Sequence, residues 1–238
     1  MMYSKPVVLN RDRHSNLTLS PSPTGYRFAS DVLSVMLAAP EFFDAGRFYP
    51  IIFTVGSDNG VTPLALLGLE EKENLFVDED GTWDAPYIPA YFRRYPFVTT
   101  GEADGKMIVC FDDSYDGFNL DGGAPLFEDG EPAAKTGEIQ AFLQDYFLQM
   151  QQTMQFGAML QEKGLLRKIS AQANLVDGRK YALNDMFVID EQKLAQLSDE
   201  DVLTLFRSGM LALVHAHLLS LRNFSSLVNR KSTREHRQ

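Results

Sequence analysis

The sequence predicts an α+β protein in which mainly antiparallel strands pack against two long helices, one amphipathic and one apolar. Three observations predict this class. Short runs rich in β-branched and aromatic residues alternate with turn residues in the first half of the chain. Apolar residues then recur at spacings of three and four over residues 136–163. A second helical region, residues 198–227, has no charged residue between 208 and 221, which predicts that most of its faces are buried.

The elements of the first half are predicted from short apolar runs and the turns between them. Pro40 suits the first position of a short helix, and a turn at residues 57–60 lies between two apolar runs, as in a β-hairpin. In chain order the predictions are strands at 7–9 and 26–29, a helix at 41–47, a hairpin of 50–55 with 62–67, a strand at 74–77, one helical turn at 89–94, and a hairpin of 97–100 with 107–111 around 101–105.

The second half begins with residues 112–132, which are rich in acidic residues and glycine and are predicted to be a long loop. The long helix that follows is predicted to end at Gly164. Asp177-Gly178 is a strong hairpin signal between predicted strands 165–176 and 180–188. Ser198 is the predicted N-cap of the last helix, which bends at Gly209.

We predict a single domain over residues 1–228, because both long helices need a sheet to cover their apolar faces. The last ten residues, 229–238, contain four basic residues. They are predicted to form a disordered basic tail.

Composition excludes several function classes. The net charge is −10, and residues 56–131 hold 17 Asp and Glu against 4 Lys and Arg, which argues against a nucleic-acid partner. No run approaches the ~18 apolar residues of a membrane span. The N-terminal residues 1–13 contain no readable secretory signal. Together with the single cysteine, Cys110, these features predict a cytoplasmic protein. No cofactor motif and no metal-ligand spacing are present, so we expect no cofactor and no metal.

Three motifs resemble catalytic or metal sites, and each is weighed against a plainer interpretation. His215 and His217 are two residues apart, so on a helix they point about 200° from each other and cannot chelate one ion. We favour a hydrogen-bonded core role for His217. The segment from Asp112 imitates half of a calcium loop but has Gly123 where a bidentate Glu is required. The carboxylates of residues 78–84 suit acid–base work on a sugar, but a turn before a core tryptophan is favoured.

The densest aromatic segment runs from residue 83 to 97 and is our candidate site. Trp83, Tyr87 and Tyr91 are rigid rings of the kind found on peptide-binding and carbohydrate-binding surfaces. Arg93 and Arg94 beside them are suited to holding a carboxylate in a bidentate manner. The competing interpretation, core packing with one internal ion pair, is left open.

Several short motifs resemble the bacterial SapC-like family, whose name comes from a gene associated with a bacterial surface layer. Their order and spacing together are specific and extend from about residue 6 to residue 227. The motifs are YPIIF from Tyr49, PLALLGL from Pro63, NLFV from Asn74, Gly81-x-Trp83, YIPA from Tyr87, RRYPF from Arg93, PLF from Pro125 and GMLALVHAHLLS from Gly209. The resemblance implies an accessory role in handling a peptide or glycan, and it implies no catalytic residue.

Our functional hypothesis is a non-catalytic accessory or binding protein. Its aromatic and arginine face would engage a peptide, a protein, or a small or glycan-derived ligand. One alternative is a metal-assisted or hydrolytic enzyme that uses His215 or His217 with acidic loop residues. A second alternative is a structural protein associated with a surface layer. The oligomeric state is not predicted.

Overall fold

The computed structural model describes residues 2–103, 106–175 and 178–236. It contains antiparallel sheets and helices, which confirms the predicted α+β class. The strands are β1 (Pro6–Val8), β2 (Thr18–Leu19), β3 (Ser34–Met36), β4 (Ile51–Val55), β5 (Val61–Leu66), β6 (Phe97–Ala103), β7 (Lys106–Asp112), β8 (Ala124–Pro125), β9 (Phe127–Glu128), β10 (Glu131–Pro132), β11 (Leu166–Asn174) and β12 (Lys180–Ile189). The helices are α1 (Phe42–Ala45), α2 (Ala90–Arg93), α3 (Ala134–Glu162), α4 (Glu191–Leu194), α5 (Asp199–Arg207), α6 (Met210–Ser220) and α7 (Asn223–Glu235).

The chain divides into two compact units, each made of three separate segments. The first unit consists of Met1–Ala29, Val77–Trp83 and Ala90–Leu148. The second unit consists of Ser30–Phe76, Asp84–Pro89 and Gln149–Gln238. Neither unit is a continuous piece of chain. The single domain over residues 1–228 stays a prediction.

The first unit contains a three-stranded antiparallel sheet in the order β1-β7-β6. Phe97 of β6 lies opposite Phe111 of β7, and both side chains are buried. They form one apolar cluster with Leu126 and Leu143, the latter from α3. The β6–β7 hairpin confirms the prediction, although the turn predicted at 101–105 includes two residues that lie outside the described ranges.

The second unit is built on a five-stranded antiparallel sheet in the order β11-β12-β4-β5-β3. The predicted β4–β5 hairpin is confirmed, and so is the pairing of β11 with β12, although Asp177 of its turn lies outside the described residues. Three fully buried rings hold helices to this sheet. Phe156 of α3 lies 5.9 Å from Phe42 and 6.3 Å from Phe53, measured between ring centroids.

The predicted long helix α3 is confirmed, and so is the break of the last helical region at Gly209, but this region breaks a second time between Ser220 and Asn223, and the short helix α4 was not predicted. Ser198 caps α5 by accepting a hydrogen bond from the Asp201 amide at 3.2 Å. Gly209 adopts a φ of +76°, so the helix is interrupted there, between α5 and α6. Helix α7 extends the last helical region beyond residue 227 and makes residues 229–235 helical where we predicted a disordered tail.

Charged contacts within the second unit explain why this end of the chain is ordered. Lys231 is only 5% exposed and forms ion pairs with Glu73 at 2.6 Å, with Glu235 at 3.3 Å and with Glu70. Arg230 pairs with Asp84 at 2.6 Å. The partners of Lys231 in residues 70–73 lie more than 150 positions away in the sequence, so composition alone predicted a solvated tail.

Two predicted strands are wrong. Residues 26–29 contain a 3₁₀ turn, Arg27–Ala29, in which the Ala29 amide donates to the Tyr26 carbonyl at 2.8 Å. Residues 74–77 curl because the Asn74 side chain accepts from the Phe76 amide at 2.9 Å. In both places local hydrogen bonds use the backbone groups that a strand ladder would need. Strands β2, β3, β8, β9 and β10 were not predicted, because a strand of two or three residues gives only a weak local signal.

Within the described residues, no single helix is long and apolar enough to cross a membrane. One bent combination passes the same test of length and composition: Asp199–Arg207 followed by Met210–Glu235, at 89°.

Candidate functional site

Trp83 is a core residue of the first unit. Its side chain is 8% exposed. The Tyr26 ring meets it edge-on at 5.6 Å, and the Phe92 ring lies at 5.1 Å. A ring enclosed in this way contributes packing rather than a stacking surface for a ligand. The competing interpretation of the aromatic segment therefore applies to Trp83.

Tyr87 belongs to the second unit, where it fastens a loop to the buried Glu41. Its hydroxyl donates to Glu41 Oε1 at 2.6 Å, and its backbone carbonyl accepts from the Tyr49 hydroxyl. Glu41 also accepts from the Ala38 amide at 2.8 Å. These bonds give Tyr87 a structural role in that unit.

Arg94 is half-buried and packs against tyrosine rings of the first unit. Its guanidinium carbon lies 4.1 Å from the centre of the Tyr91 ring and 5.1 Å from that of Tyr146. Contacts of this kind are worth about 0.5–2 kcal/mol. Arg94 Nε is buried without a hydrogen-bond partner among the described residues. The Tyr91 ring therefore orients the Arg94 guanidinium group, and Arg94 Nε remains able to donate a hydrogen bond.

Arg93 and Arg94 line one cavity of about 490 Å³ in the first unit. The cavity is otherwise lined mainly by apolar and aromatic side chains, with one further lysine and one glutamate. These residues are Leu19, Ser20, Pro21, Tyr95, Pro96, Phe97, Tyr115, Lys135, Glu138, Ile139, Phe142 and Leu143. The volume lies within the range typical of small-molecule sites, about 300–1,000 Å³.

The lining of this cavity has a net positive charge, whereas the whole chain has a net charge of −10. Three of its four charged residues are basic: Arg93, Arg94 and Lys135. Glu138 neutralises Lys135 through an ion pair of 2.8 Å. Arg93 is exposed, and its guanidinium carbon lies 5.3 Å from the centre of the Phe142 ring. The cavity is therefore lined by two guanidinium groups in the first unit, and a negatively charged group has the complementary charge.

The tyrosines of this cavity are hydrogen-bond donors within the fold. Burial raises the pKa of Tyr115 to about 12, and the nearby Asp116 acts in the same direction. Burial, followed by the charge of Asp112, also raises the pKa of Tyr95. The Tyr115 hydroxyl donates to the Ser20 carbonyl at 3.0 Å. Both phenols are therefore protonated at neutral pH, which suits binding and not proton abstraction.

The segment that imitates a calcium loop uses its carboxylates internally. Asp112 is fully buried and accepts hydrogen bonds from the amides of Ser4 and Lys5, at 2.6 and 3.0 Å, and from the Ser114 hydroxyl at 2.6 Å. Burial raises the pKa of Asp112, but these bonds outweigh it and lower the pKa overall. Asp116 accepts from the Thr24 hydroxyl. Asp112 therefore holds the N-terminal segment in the first unit, and its carboxylate oxygens are used in these hydrogen bonds rather than as calcium ligands.

His217 has the core role that its position on the apolar stripe predicted. It is fully buried, its ring centroid lies 4.8 Å from that of Phe53, and its Nε2 accepts from the Ile189 amide at 3.1 Å. Burial lowers its pKa to about 3. His215, by contrast, is exposed. Among the described residues no group of three or more His, Cys, Asp or Glu is placed to hold a metal ion.

The acidic segment before Trp83 forms a turn. Asp78 Oδ1 accepts from the amides of Asp80 and Thr82 at 3.0 and 2.7 Å. In the second unit, Asp84 pairs with Arg230. Cys110 is buried and 3.5 Å from the Thr100 hydroxyl. The hydrogen bonds of Asp78 agree with the plainer interpretation of the acidic segment.

Sequence reasoning placed the two arginines correctly beside aromatic rings but missed most of the cavity wall. Lys135 and Phe142 come from α3, and Tyr115 comes from the acidic loop. Phe142 was visible only as a member of the apolar helix stripe. A sequence signal for the other two residues is absent, because nothing local relates them to Arg93.

Comparison with models of protein families gives a match. The model of a protein family described as SapC matches residues 9–227 of this chain. No curated protein and no solved structure matches the chain.

Proposed function

Because the chain belongs to the SapC family and its first unit contains a cavity lined by two adjacent arginines, we propose that it is a non-catalytic binding protein for a carboxylate-bearing ligand. The ligand is a peptide or a small molecule with an apolar part. The observation that carries the proposal is the presence of Arg93, Arg94 and an aromatic and aliphatic wall around one space of about 490 Å³.

Arg93 and Arg94 supply the polar recognition. A guanidinium group offers a rigid fork of donors that matches a carboxylate in a bidentate manner. Tyr91 lies against the Arg94 guanidinium and Phe142 against that of Arg93. These rings limit the motion of both side chains, so less conformational entropy is lost when a carboxylate binds.

The apolar wall supplies the rest of the contact area. Ile139, Phe142 and Leu143 come from successive turns of α3, and Phe97 comes from β6. Such a wall accommodates an apolar or aromatic side chain next to the carboxylate. A terminal carboxylate that follows a hydrophobic residue, or an acidic side chain in an apolar peptide, combines both features.

The enzymatic alternative has less physical support. It requires His215 or His217 to exchange a proton with a substrate. His217 is fully buried and, with a pKa of about 3, uncharged at neutral pH. A candidate base must be within reach of the proton that it abstracts. The structural, surface-layer alternative rests on the family resemblance alone.

A pair of matched probes tests the proposal. N-acetylphenylalanine carries a carboxylate next to an aromatic ring, and its primary amide has the same shape without the charge. We expect calorimetric titration or ligand-observed NMR to show binding of the acid about tenfold tighter than binding of the amide, since hydrogen bonds to a charged group are worth about 1.5–3 kcal/mol.

Variants locate the binding. The double substitution Arg93→Gln with Arg94→Gln should abolish the preference for the acid. Arg167→Gln, which removes one exposed arginine from β11 in the second unit, is the control and should leave it unchanged. Equal binding of acid and amide, or an unchanged preference in the double variant with a native circular dichroism spectrum, would contradict the proposal.

A further inference from the structure

Helix α5 has two opposite faces with different environments in the second unit. Leu205 is 1% exposed, and Asp201, one turn earlier, pairs with Lys163 at 2.7 Å. On the other face Leu203 is 45% exposed and Phe206 is 70% exposed. With 3.6 residues per turn, the centres of these faces are about 150° apart. The inner face anchors the helix, and the outer face exposes large apolar side chains.

The outer face also carries charges of both signs at its two ends. Asp199 and Glu200 lie in the first turn, and Arg207 is the last residue of the helix. Asp199 and Leu203 are four positions apart, as are Leu203 and Arg207, so all three lie on one side of the helix. In the ranges that the structure describes, neither Arg207 nor the two acids form an ion pair within the chain.

We propose that the outer face of α5 (Asp199, Glu200, Leu203, Phe206 and Arg207) is a self-association surface, whose occupant is the same face of a second copy of this chain. The two helices pack antiparallel about a two-fold axis that passes close to Leu203. An isologous contact of this kind places each surface group opposite its own complement.

The argument for a second copy is charge complementarity. In an antiparallel arrangement centred on Leu203, Arg207 of each copy lies opposite Asp199 and Glu200 of the other. The symmetry produces this pairing twice, and Leu203 and Phe206 are buried between the two ends. Other occupants use the face less well: an anionic lipid surface is repelled by the acidic end, and a purely basic partner is repelled by Arg207.

The size of the surface sets the expected strength. A helix of nine residues is about 13 Å long, which is short for a standard interface of about 800 Å² per partner. Association is therefore weak and depends on protein concentration. Phe206 is the best candidate for the residue that dominates the binding energy, because it is the most exposed aromatic ring of the face.

Sedimentation velocity over a wide range of protein concentrations tests the proposal. The wild type should show a weight-average sedimentation coefficient that rises with concentration toward that of a dimer. Phe206→Asp should weaken the association about tenfold or more. Leu219→Asp is the matched control, since Leu219 is 65% exposed on α6 and lies outside the surface; it should leave the association unchanged.

Charge reversal in two different copies gives the sharper test. R207E alone, and D199R/E200R alone, each place like charges opposite one another and should weaken self-association. A mixture of the two variants restores both ion pairs in a heterodimer and should recover the association. Circular dichroism confirms that each variant is folded.

Three results would overturn the proposal. The first is a wild type that is monomeric at every concentration tested. Co-sedimentation of such a monomer with vesicles of anionic lipid would indicate a lipid surface as the occupant instead. The second is self-association that Leu219→Asp disrupts and Phe206→Asp does not. The third is a mixture of the charge variants that associates no better than either variant alone.

Discussion

Trp83 illustrates how a residue that is conspicuous in the sequence serves the fold. It is 8% exposed between Tyr26 and Phe92. We expect Trp83→Ala to lower the free energy of unfolding by about 3–5 kcal/mol, the usual cost of deleting a buried aromatic side chain. Urea unfolding measures this loss. Trp83→Phe should cost less, because it keeps a ring in contact with both neighbours. A change below about 1 kcal/mol for the alanine variant would show that the ring is not part of the core.

His217 gives a pH dependence whose sign follows from its burial. In the folded chain its pKa is lowered to about 3, while the unfolded side chain titrates at 6.5. Below pH 6.5 the unfolded state binds a proton that the folded state does not, so stability falls as the pH is lowered. The contribution is fully present above 6.5. Between about pH 7.5 and pH 5 we expect a loss of about 2 kcal/mol from this group.

The matched variant for this measurement is His217→Gln, whose amide does not titrate and retains an acceptor for the Ile189 amide. We expect the variant to be less stable at pH 7.5 but to lose less stability on acidification over the same range. Urea unfolding at both pH values gives the two slopes. If wild type and variant have the same pH dependence, His217 has the same pKa in the folded and unfolded states, and its burial does not lower that pKa.

At the scale of single elements, alanine substitutions at two glycines of α3 are predicted to change the stability in opposite directions. A Cβ added at Gly157 would lie 2.5 Å from the Val61 carbonyl oxygen, while one added at Gly137 would meet nothing within 4 Å. Gly137→Ala should therefore stabilise the protein by up to about 1 kcal/mol through helix propensity. Gly157→Ala should destabilise it by about 1–3 kcal/mol because the contact with β5 is already tight. Chemical denaturation compares both variants with the wild type, and stabilisation by Gly157→Ala would contradict the close approach.

The elements also show what a sequence can and cannot predict. The β4–β5 hairpin, α3 and the break at Gly209 were predicted because periodicity, turn residues and caps are local signals. The strand predicted at 26–29 was not found, because a local 3₁₀ turn and a hydrogen bond to a distant residue use its backbone groups. The disordered tail predicted from 229 was not found, because its ion-pair partners lie elsewhere in the chain. Tyr26 donates its amide to the Gly81 carbonyl at 2.7 Å, and Lys231 pairs with glutamates near residue 70.

The same distinction applies to the candidate site. Arg93 and Arg94 were chosen because two adjacent arginines in an aromatic segment form a local signal, and their role in binding stays a prediction. Whether Trp83 would be buried was left open, since burial depends on rings such as Tyr26 that are distant in the sequence. Lys135 lines the cavity because the N-terminal part of α3 belongs to the first unit. Sequence spacing does not reveal that this part of α3 lies near Arg93.

At the scale of the whole molecule, the segments of the two units alternate along the chain. The chain passes from one unit to the other five times, at residues 29/30, 76/77, 83/84, 89/90 and 148/149. The long helix α3 contributes residues to both units. Because each unit is assembled from segments separated by the other, neither unit can be produced as a continuous fragment.

This interleaving predicts a single cooperative unfolding transition for the whole chain. Calorimetry should give one heat-absorption peak whose calorimetric and van't Hoff enthalpies agree, which is the test of two-state behaviour. Trp83 fluorescence reports the first unit, and far-ultraviolet circular dichroism reports mainly the helices, most of which lie in the second. Both signals should change at the same urea concentration. Trp83→Phe in the first unit and Gly157→Ala in the second should each shift the entire calorimetric peak; the first variant lacks the only tryptophan, so its transition is followed by calorimetry and dichroism. Two resolved peaks, or a fluorescence midpoint that differs from the dichroism midpoint, would show that the units unfold independently and that the chain is not one domain.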